Sequence, residues 1–349
     1  MNKKLKILYA IQGTGNGHIT RAMEIVPLLK KKGTVDVLIS GIQSDLELPF
    51  KVQYKLNGLS FIFGTKGGVD IWHTYARMNT LRLLKEIKSL DPTKYDLVIS
   101  DFEPVSAWAC QLAGVPCIGL SNQAATLHPK TPKPKNIDLI GKLVLEHYAP
   151  VTFNYGFHFK RLDKSIFTPI IRKEVRSLTP SDKGHYTVYL PSYSDERIIK
   201  VLDKMENITW EVFSKRCTKK FEHNKITIQP IKQESFLKSI AASSGVLCNA
   251  GFGVASEALF LGKKLLVIPM KTQYEQMCNA AMLKSMGVTV IKKLRKKNIG
   301  KIENWIAKGA VAPVDYKDET EQILDMIIKN HAGHTVEHFA ETGTYSSIQ

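Results

Sequence analysis

Two runs of alternating strand and helix patterns, one in each half of the chain, constrain the fold more than any other feature of this sequence. In the first half, short apolar segments alternate with segments of helical periodicity: predicted strands at residues 6–10, 35–40, 96–100 and 115–120, and predicted helices at 19–32, 71–90 and 106–113. In the second half, the same alternation covers strands at 186–190, 209–213, 226–229, 245–248 and 265–268, and helices at 196–205, 236–242, 255–261 and 275–286. Such alternation with short connections builds parallel sheets with helices on both faces. The sequence therefore predicts an α/β protein with two Rossmann-like, doubly wound parallel-sheet domains.

A segment of looser pattern separates the two runs. It spans residues 128–181 and opens with a Pro- and Lys-rich stretch at 129–135 that cannot be helical. A length of 349 residues also exceeds what one hydrophobic core normally supports. We therefore predict an N-terminal domain at residues 1–165 and a C-terminal domain at 166–349 that ends in a helix and a tail. Ligands of such sheets bind beyond the carboxyl ends of the strands, which predicts a site in the cleft between the domains.

The net positive charge of the chain indicates which classes of ligand and partner it attracts. The sequence has 49 Lys and Arg residues against 32 Asp and Glu residues, a formal net charge of +17. Such an excess attracts phosphorylated ligands, anionic membrane surfaces or nucleic acid. The five cysteines are scattered and odd in number, which is typical of a reduced, cytoplasmic protein. Two uncharged stretches, at 104–127 and 239–256, contain too many Gly, Pro, Ser and Asn residues to predict membrane-spanning helices.

A glycine-rich turn follows the first predicted strand and contains Gly13, Gly15 and Gly17. Its spacing is not that of a dinucleotide-binding fingerprint, because His18 stands where the third glycine would be, and the second strand ends without an acidic residue. The turn places His18 at a helix N-terminus, whose positive end disfavours the imidazolium. His18 is therefore a candidate general base. The alternative is a structural histidine that caps its own turn.

Asp101 follows the predicted strand at 96–100. A carboxylate at the carboxyl end of a parallel strand faces the cleft, where it could orient His18 through the second ring nitrogen. The alternative is that Asp101 caps the following helix.

A second group of candidate residues follows the strand at 245–248. Small residues from Asn249 to Gly253 expose backbone N–H groups at a helix N-terminus, which suits a diphosphate. Glu257, further along that helix, has a carboxylate that could accept both hydroxyls of a ribose. After the next strand come Gln273, Glu275 and Gln276, and a carboxylate beside an amide suits the vicinal hydroxyls of a sugar. Together these features predict a nucleotide-sugar site.

This part of the sequence resembles the donor-binding half of UDP-glycosyltransferases and of the N-acetylglucosaminyltransferase that acts on the peptidoglycan lipid intermediate. The matching positions are Gly251, Glu257, Gly262, Pro269, Glu275, Gln276, Asn279 and Ala280. The N-terminal turn that ends in His18 is similar to the opening of the acceptor domain in the same group. The resemblance implies the GT-B fold, in which two Rossmann-like domains face each other across a cleft.

The resemblance also implies roles for individual residues. Glu257 would bind the ribose, and His18 would be the base with Asp101 as its partner. The donor-site residues would be Gly15, Gly17, Asn249, Gly251, Phe252, Gly253, Val254, Glu257, Gln273, Glu275 and Gln276, and the nucleobase would lie near Pro230, Ile231 and Lys232. Asn249 stands where many relatives have a histidine that contacts phosphate.

We therefore expect an inverting hexosyl- or N-acetylhexosaminyltransferase that moves a sugar from a nucleotide sugar, with UDP as the expected nucleotide, to a hydroxyl acceptor. No Asp-x-Asp pair occurs in the sequence, so neither a metal nor any other cofactor is expected. One alternative is a non-hydrolysing UDP-sugar 2-epimerase. The other is a basic nucleic-acid-binding protein, although no motif for specific nucleic acid recognition is present.

Aromatic and basic residues are mixed after the Pro- and Lys-rich stretch, and a second basic run lies at 292–297. Rings flanked by cations suit the edge of an anionic bilayer. The sequence thus predicts a peripheral protein at the inner face of a membrane with a lipid-linked acceptor, with solvated charges and a soluble acceptor as the alternative. The first group comprises Tyr155, Phe157, Phe159, Lys160, Arg161, Lys164, Phe167, Arg172, Lys173 and Arg176.

Overall fold

The computed structural model describes residues 4–41, 48–59, 80–134, 139–270 and 273–333. In these ranges the strands form two seven-stranded sheets, one from each half of the chain. The predicted class is confirmed, since both sheets are built mainly from parallel strands connected through helices. Residues 71–79 of the predicted helix at 71–90, and the predicted tail at 334–349, lie outside the described residues.

The first sheet has the strand order β3-β2-β1-β4-β5-β6-β7, and each neighbouring pair is parallel. The elements of this half are β1 (Leu5–Gln12), α1 (Asn16–Lys32), β2 (Gly33–Ser40), β3 (Tyr54–Leu56), α2 (Thr80–Ser89), β4 (Leu97–Asp101), α3 (Pro104–Ala113), β5 (Cys117–Ser121), α4 (Asn122–Leu127), α5 (Leu139–His147), β6 (Phe153–Phe157) and β7 (Ile166–Phe167).

The second sheet has the order β10-β11-β9-β8-β12-β13-β14, parallel except where β10 pairs with β11. Its elements are α6 (Lys173–Arg176), β8 (His185–Tyr189), α7 (Asp195–Leu202), β9 (Thr209–Ser214), β10 (Phe221–His223), β11 (Ile226–Pro230), α8 (Gln233–Ala242), β12 (Gly245–Asn249), α9 (Phe252–Phe260), β13 (Lys264–Ile268), α10 (Tyr274–Ser285), β14 (Thr289–Val290), α11 (Ile299–Lys308) and α12 (Thr320–His331).

The junction of α1 and β2 shows why the sequence turns where it does. The apolar residues of α1 recur at helical spacing and are buried against the first sheet, among them Ala22, Ile25 and Leu29. Gly33 then pairs with Leu5, and a Cβ atom at Gly33 would lie 2.3 Å from the Leu5 carbonyl oxygen. Only glycine fits this close approach, so the helix ends and the second strand begins at this residue.

Two elements do not follow the division at residues 165 and 166 that the sequence suggested. Strand β7 begins at Ile166 and extends the first sheet by pairing with β6. Helix α12 comes from the far C-terminus, yet its residues Ile323, Leu324 and Ile327 pack in the core beneath the first sheet. The chain thus passes from the first sheet to the second after β7. It returns to the first half at α12, whose apolar face is buried there.

In the part of the chain that the structure describes, no helix is long and apolar enough to cross a membrane.

Candidate active site

His18 lies in the first turn of α1, directly after the glycine-rich turn. Gly15 precedes the helix with a φ of 96°, a left-handed backbone conformation that favours glycine, and it lets the chain turn sharply from β1 into α1. His18 is buried, and its Nδ1 is 2.8 Å from Oδ1 of Asp101. Asp101 ends β4, which is paired with β1, so the sheet brings these two sequence-predicted residues together.

Arg21 also contacts Asp101, an interaction that the sequence analysis missed. Its Nε donates to Oδ2 of Asp101 at 2.8 Å, and its Nη2 donates to Oδ1 at 2.5 Å. Both partners are buried, which makes this a two-point ion pair inside the protein. The sequence held one signal for it, since residues three apart on a helix lie on the same face, and Arg21 is three residues after His18.

The charges around Asp101 determine its protonation state. Burial alone would raise the pKa of this carboxyl, but the charge of Arg21 and the hydrogen bonds from His18 and Arg21 outweigh burial and lower the pKa. Asp101 is therefore an ionised acceptor, and Nδ1–H of His18 donates to it. The hydroxyl of Tyr9 lies 3.5 Å from Oδ2 of Asp101, and burial holds the pKa of Tyr9 well above its ordinary value, so Tyr9 stays protonated.

The other ring nitrogen of His18, Nε2, keeps its lone pair in this arrangement. It faces α4, where the amide nitrogen Nε2 of Gln123 lies 3.4 Å away. Such a tautomer, with Nδ1–H on a carboxylate and a lone pair on Nε2, is the form in which histidine accepts a proton from a substrate.

Glu275 approaches the same place from the second sheet. It lies in the first turn of α10, and its Oε2 accepts a hydrogen bond from Nε2 of Gln123 at 3.0 Å. Its Oε1 accepts one from Nδ2 of Asn122 at 2.8 Å. Burial raises the pKa of Glu275, and this outweighs the opposing effects of His18, Gln123, Arg21 and Asn122. The sequence analysis placed Glu275 in the donor site but held no signal for its contacts with Asn122 and Gln123, which lie about 150 positions away in the chain.

The glycine-rich start of α9 faces open space. Gly251 is the residue before the helix, and Phe252, Gly253 and Val254 form its first turn. A Cβ atom at Gly251 or Gly253 would meet no described atom within 4 Å. The same holds for Gly15 and Gly17 on the opposite side. Both turns thus leave room for a ligand beside backbone N–H groups.

Asn249 ends β12 and is buried beneath that turn. Its Nδ2 donates to the carbonyl oxygen of Ile268 at 2.8 Å, and its Oδ1 accepts a hydrogen bond from the hydroxyl of Ser192 at 3.0 Å. The side chain therefore connects neighbouring strand ends in this structure.

Glu257 is buried on α9, where its Oε1 accepts a hydrogen bond from Nε of Arg172 at 2.7 Å. Burial would lower the pKa of Arg172, but the charge of Glu257 and the hydrogen bond between them raise it. Arg172 was assigned to the membrane-facing segment by the sequence analysis, and this assignment is wrong because its guanidinium points into the protein.

The remaining donor-site residues lie at the same edge of the second sheet. Gln276 holds the preceding loop, since its Oε1 accepts a hydrogen bond from the backbone N–H of Met270 at 3.0 Å. Gln273 precedes α10, and its buried Oε1 has no hydrogen-bond partner among the described residues. The predicted nucleobase residues Pro230, Ile231 and Lys232 lie at the carboxyl end of β11 and the start of α8.

The aromatic part of the predicted membrane segment is in the core. Phe157, Phe159 and Phe167 are buried, and β6 and β7 carry two of them into the first sheet. The alternation of ring and polar residues there belongs to sheet strands with a buried face. These rings cannot contact a bilayer, so this part of the interpretation is wrong.

Comparisons with known proteins agree with this architecture. The model of glycosyl transferase family 1 matches residues 5–308. No curated protein matches the chain in sequence. Similar solved structures include MurG of Acinetobacter baumannii, with 13% identity and a TM-score of 0.57 over 93% of this chain and 99% of that one.

Two similar plant structures contain nucleotide sugars. UGT2 of Phytolacca americana, complexed with UDP-2fluoro-glucose and pterostilbene, has 13% identity and a TM-score of 0.57 over 95% of each chain. UGT89C1 of Arabidopsis thaliana, complexed with UDP-L-rhamnose, has 13% identity and a TM-score of 0.57 over 95% of this chain and 97% of that one. Identities this low show a common fold. With a family model that spans most of its length, the chain belongs to glycosyl transferase family 1 and is a glycosyltransferase with the GT-B fold.

Proposed function

We propose that the protein transfers a hexosyl or N-acetylhexosaminyl group from a UDP-sugar to a hydroxyl acceptor with inversion at the anomeric carbon. The observation that carries this proposal is the contact between His18 and Asp101 at 2.8 Å, which leaves the lone pair of the other ring nitrogen, Nε2, to act as the base.

In the proposed reaction, Nε2 of His18 accepts the proton of the acceptor hydroxyl. The acceptor oxygen attacks the anomeric carbon from the side opposite the diphosphate, and the bond between that carbon and the diphosphate oxygen breaks. The electron pair leaves with the diphosphate, whose added charge is stabilised by the N–H groups at the start of α9. General-base assistance of this kind contributes about 100- to 10,000-fold to the rate.

The donor assignment is supported by residues at the edge of the second sheet. Glu257 would bind the ribose, Gln273, Glu275 and Gln276 the sugar, and the loop after β11 the nucleobase. UDP is proposed because two similar structures contain UDP-sugars. Metal independence is proposed because the sequence lacks an Asp-x-Asp pair and has a net charge of +17 to attract the diphosphate.

A panel of nucleotide sugars tests the function. The protein should release UDP only when both a UDP-sugar and a hydroxyl acceptor are present, with and without chelator, and NMR of the product should show the inverted anomer. Interconversion of UDP-sugars without an acceptor would instead identify a 2-epimerase.

Glu257→Gln should weaken UDP binding about tenfold, or about 1.4 kcal/mol, because a charge-assisted hydrogen bond to the ribose is lost. The amide oxygen can still accept the hydrogen bond from Arg172, so the fold should survive. Calorimetric titration with UDP measures the change. Glu303→Gln, at an exposed position of α11, is the matched control and should bind as the unchanged protein does. Equal affinity in both variants would remove Glu257 from the site.

Membrane association is a further part of the proposal. It is supported by exposed residues of α2 and not by the buried aromatic segment. On α2, Leu81 is 72% exposed and Leu84 is 49% exposed, and the exposed Lys85 and Lys88 flank them. Exposed leucines beside lysines suit an anionic bilayer, where each cation near the surface contributes about 1 kcal/mol. We propose that this face meets the membrane that carries a lipid-linked acceptor.

The protein should therefore sediment with anionic vesicles at low salt, less so at physiological salt, and not with neutral vesicles. Replacing Leu81 and Leu84 by Ser should reduce sedimentation at both salt concentrations. Absence of binding to anionic vesicles at low salt would contradict membrane association and would leave the donor site unaffected.

A further inference from the structure

The two halves of the protein are connected beside the candidate base by three polar side chains, those of His18, Gln123 and Glu275. Nε2 of Gln123 lies 3.4 Å from Nε2 of His18 and 3.0 Å from Oε2 of Glu275. Gln123 belongs to α4 beside the first sheet, and Glu275 belongs to α10 beside the second. The Glu275 carboxylate is thus separated from the imidazole by a single nitrogen atom.

Both oxygens of Glu275 accept hydrogen bonds from amides. Oε1 accepts from Asn122 at 2.8 Å, and Oε2 accepts from Gln123 at 3.0 Å. Because every donor here is an N–H group, the arrangement fits the ionised carboxylate, which offers only acceptors.

The charged groups around His18 determine how strongly the Glu275 carboxylate can stabilise its protonated form. Tyr9 on β1, Asp101 on β4, Arg21 on α1 and Glu275 on α10 are the titratable groups around it, and α4 contributes only the neutral Asn122 and Gln123. Arg21 already pairs with Asp101 at two points, so the charge of Asp101 is largely compensated. When His18 takes up a proton, the second negative charge nearby is that of Glu275, which Arg21 compensates less than it does Asp101 because Arg21 donates its hydrogen bonds to Asp101.

We infer that Glu275 is a positioning residue for the base: its carboxylate, held near His18 by Asn122 and Gln123, supplies the counter-charge for the His18 imidazolium. The inference rests on the proposed role of His18 and goes beyond the sugar contact that the resemblance implies for Glu275. It makes the counter-charge at His18 depend on the contact between α4 and α10.

The test is the titration of His18 in the full-length chain, followed by NMR of labelled histidine. The sequence has ten histidines, and the His18 signal is identified by its loss in His18→Ala. In Glu275→Gln the midpoint of the His18 titration should move to lower pH, since a nearby negative charge favours the protonated ring. Glu275→Ser removes the same charge without adding an amide and should shift the midpoint in the same direction.

Two other variants separate charge from structure. Gln123→Met removes one amide but keeps the carboxylate, which Asn122 still holds by its Oε1, so this variant should not lower the midpoint. Glu24→Gln is the matched control: Glu24 is another carboxylate on α1 whose pKa burial raises, but it lies six residues after His18 and contacts the backbone N–H of Lys173. It should leave the midpoint unchanged.

The inference is overturned if both Glu275 variants titrate as the unchanged protein does, or if Glu24→Gln shifts the midpoint equally. The measurement needs no turnover, so it is independent of the proposed function. A shift in a protein that transfers no sugar would contradict the proposed function alone. Sugar transfer without a shift would contradict the inference alone.

Discussion

Replacing His18 with alanine is expected to lower turnover about 100-fold or more while leaving the affinity for UDP unchanged. Among the described residues, the imidazole hydrogen-bonds with Asp101, Arg21 and Gln123 of the first domain, so its loss should not disturb the donor residues on α9. The rate with a saturating UDP-sugar and acceptor, together with calorimetric titration of UDP, measures both quantities.

His128→Ala is the matched control for this variant. His128 also has an imidazole nitrogen near a carboxylate, since its Nε2 lies 2.7 Å from Oδ2 of Asp163, but among the described residues no hydrogen bond links that pair to His18, Asp101 or Glu275. Turnover should stay within twofold of the unchanged protein. If His18→Ala retained turnover within a few-fold, His18 would be structural. Asp101 would be a poor substitute base, because Arg21 neutralises its charge and its pKa is lowered.

Arg21→Met should destabilise the first domain by about 3 to 5 kcal/mol at neutral pH, because it leaves the buried Asp101 charge without its main partner. Asp101 is fully buried and Arg21 nearly so, which excludes water as a replacement. Urea unfolding, followed by the fluorescence of Trp108 on α3, measures the loss.

The pH dependence of this loss follows from the lowered pKa of Asp101. In the unchanged protein, the stability from Asp101 is present above its unfolded-state pKa, about 4, and disappears as the pH falls through the lower folded-state value. In Arg21→Met the carboxyl can protonate, so the difference between the two proteins should shrink below about pH 4. The double variant Arg21→Met, Asp101→Asn should recover most of the stability. A loss below about 1 kcal/mol for Arg21→Met alone would show that the ion pair is not needed.

Local patterns in the sequence determined the fold class and the positions of several site residues. The periodicity of a strand or helix depends on which residues face a core, and this pattern is present within each short segment of the sequence. The turn before His18, the strand end at Asp101 and the glycine-rich start of α9 are likewise local, because each depends on neighbouring residues. The observed strands β1, β4 and β12 therefore coincide closely with the predicted segments.

The short strands β6 and β7 could not be predicted in the same way. The aromatic residues of β6 alternate with Asn154 and Gly156, but this alternation extends over only five residues, close to the shortest run that indicates a strand. Without these strands, the mixed aromatic segment was interpreted as a membrane surface. The burial of Phe157 and Phe167 was decided by the sheet edge that the segment joins.

Only the tertiary structure decided which charged groups meet. Arg21 and Asp101 are 80 positions apart, Arg172 and Glu257 are 85 apart, and Gln123 and Glu275 are 152 apart. Nothing local distinguishes these residues from charges on a solvated surface. Their pairing depends on how α1 packs on β4, and on how α9 and α10 approach the first domain. The sequence by itself thus determined the two sheets and the candidate base, whereas the packing of the two halves decided which charges surround that base, because electrostatic partners are selected by distance in space and not by position in the chain.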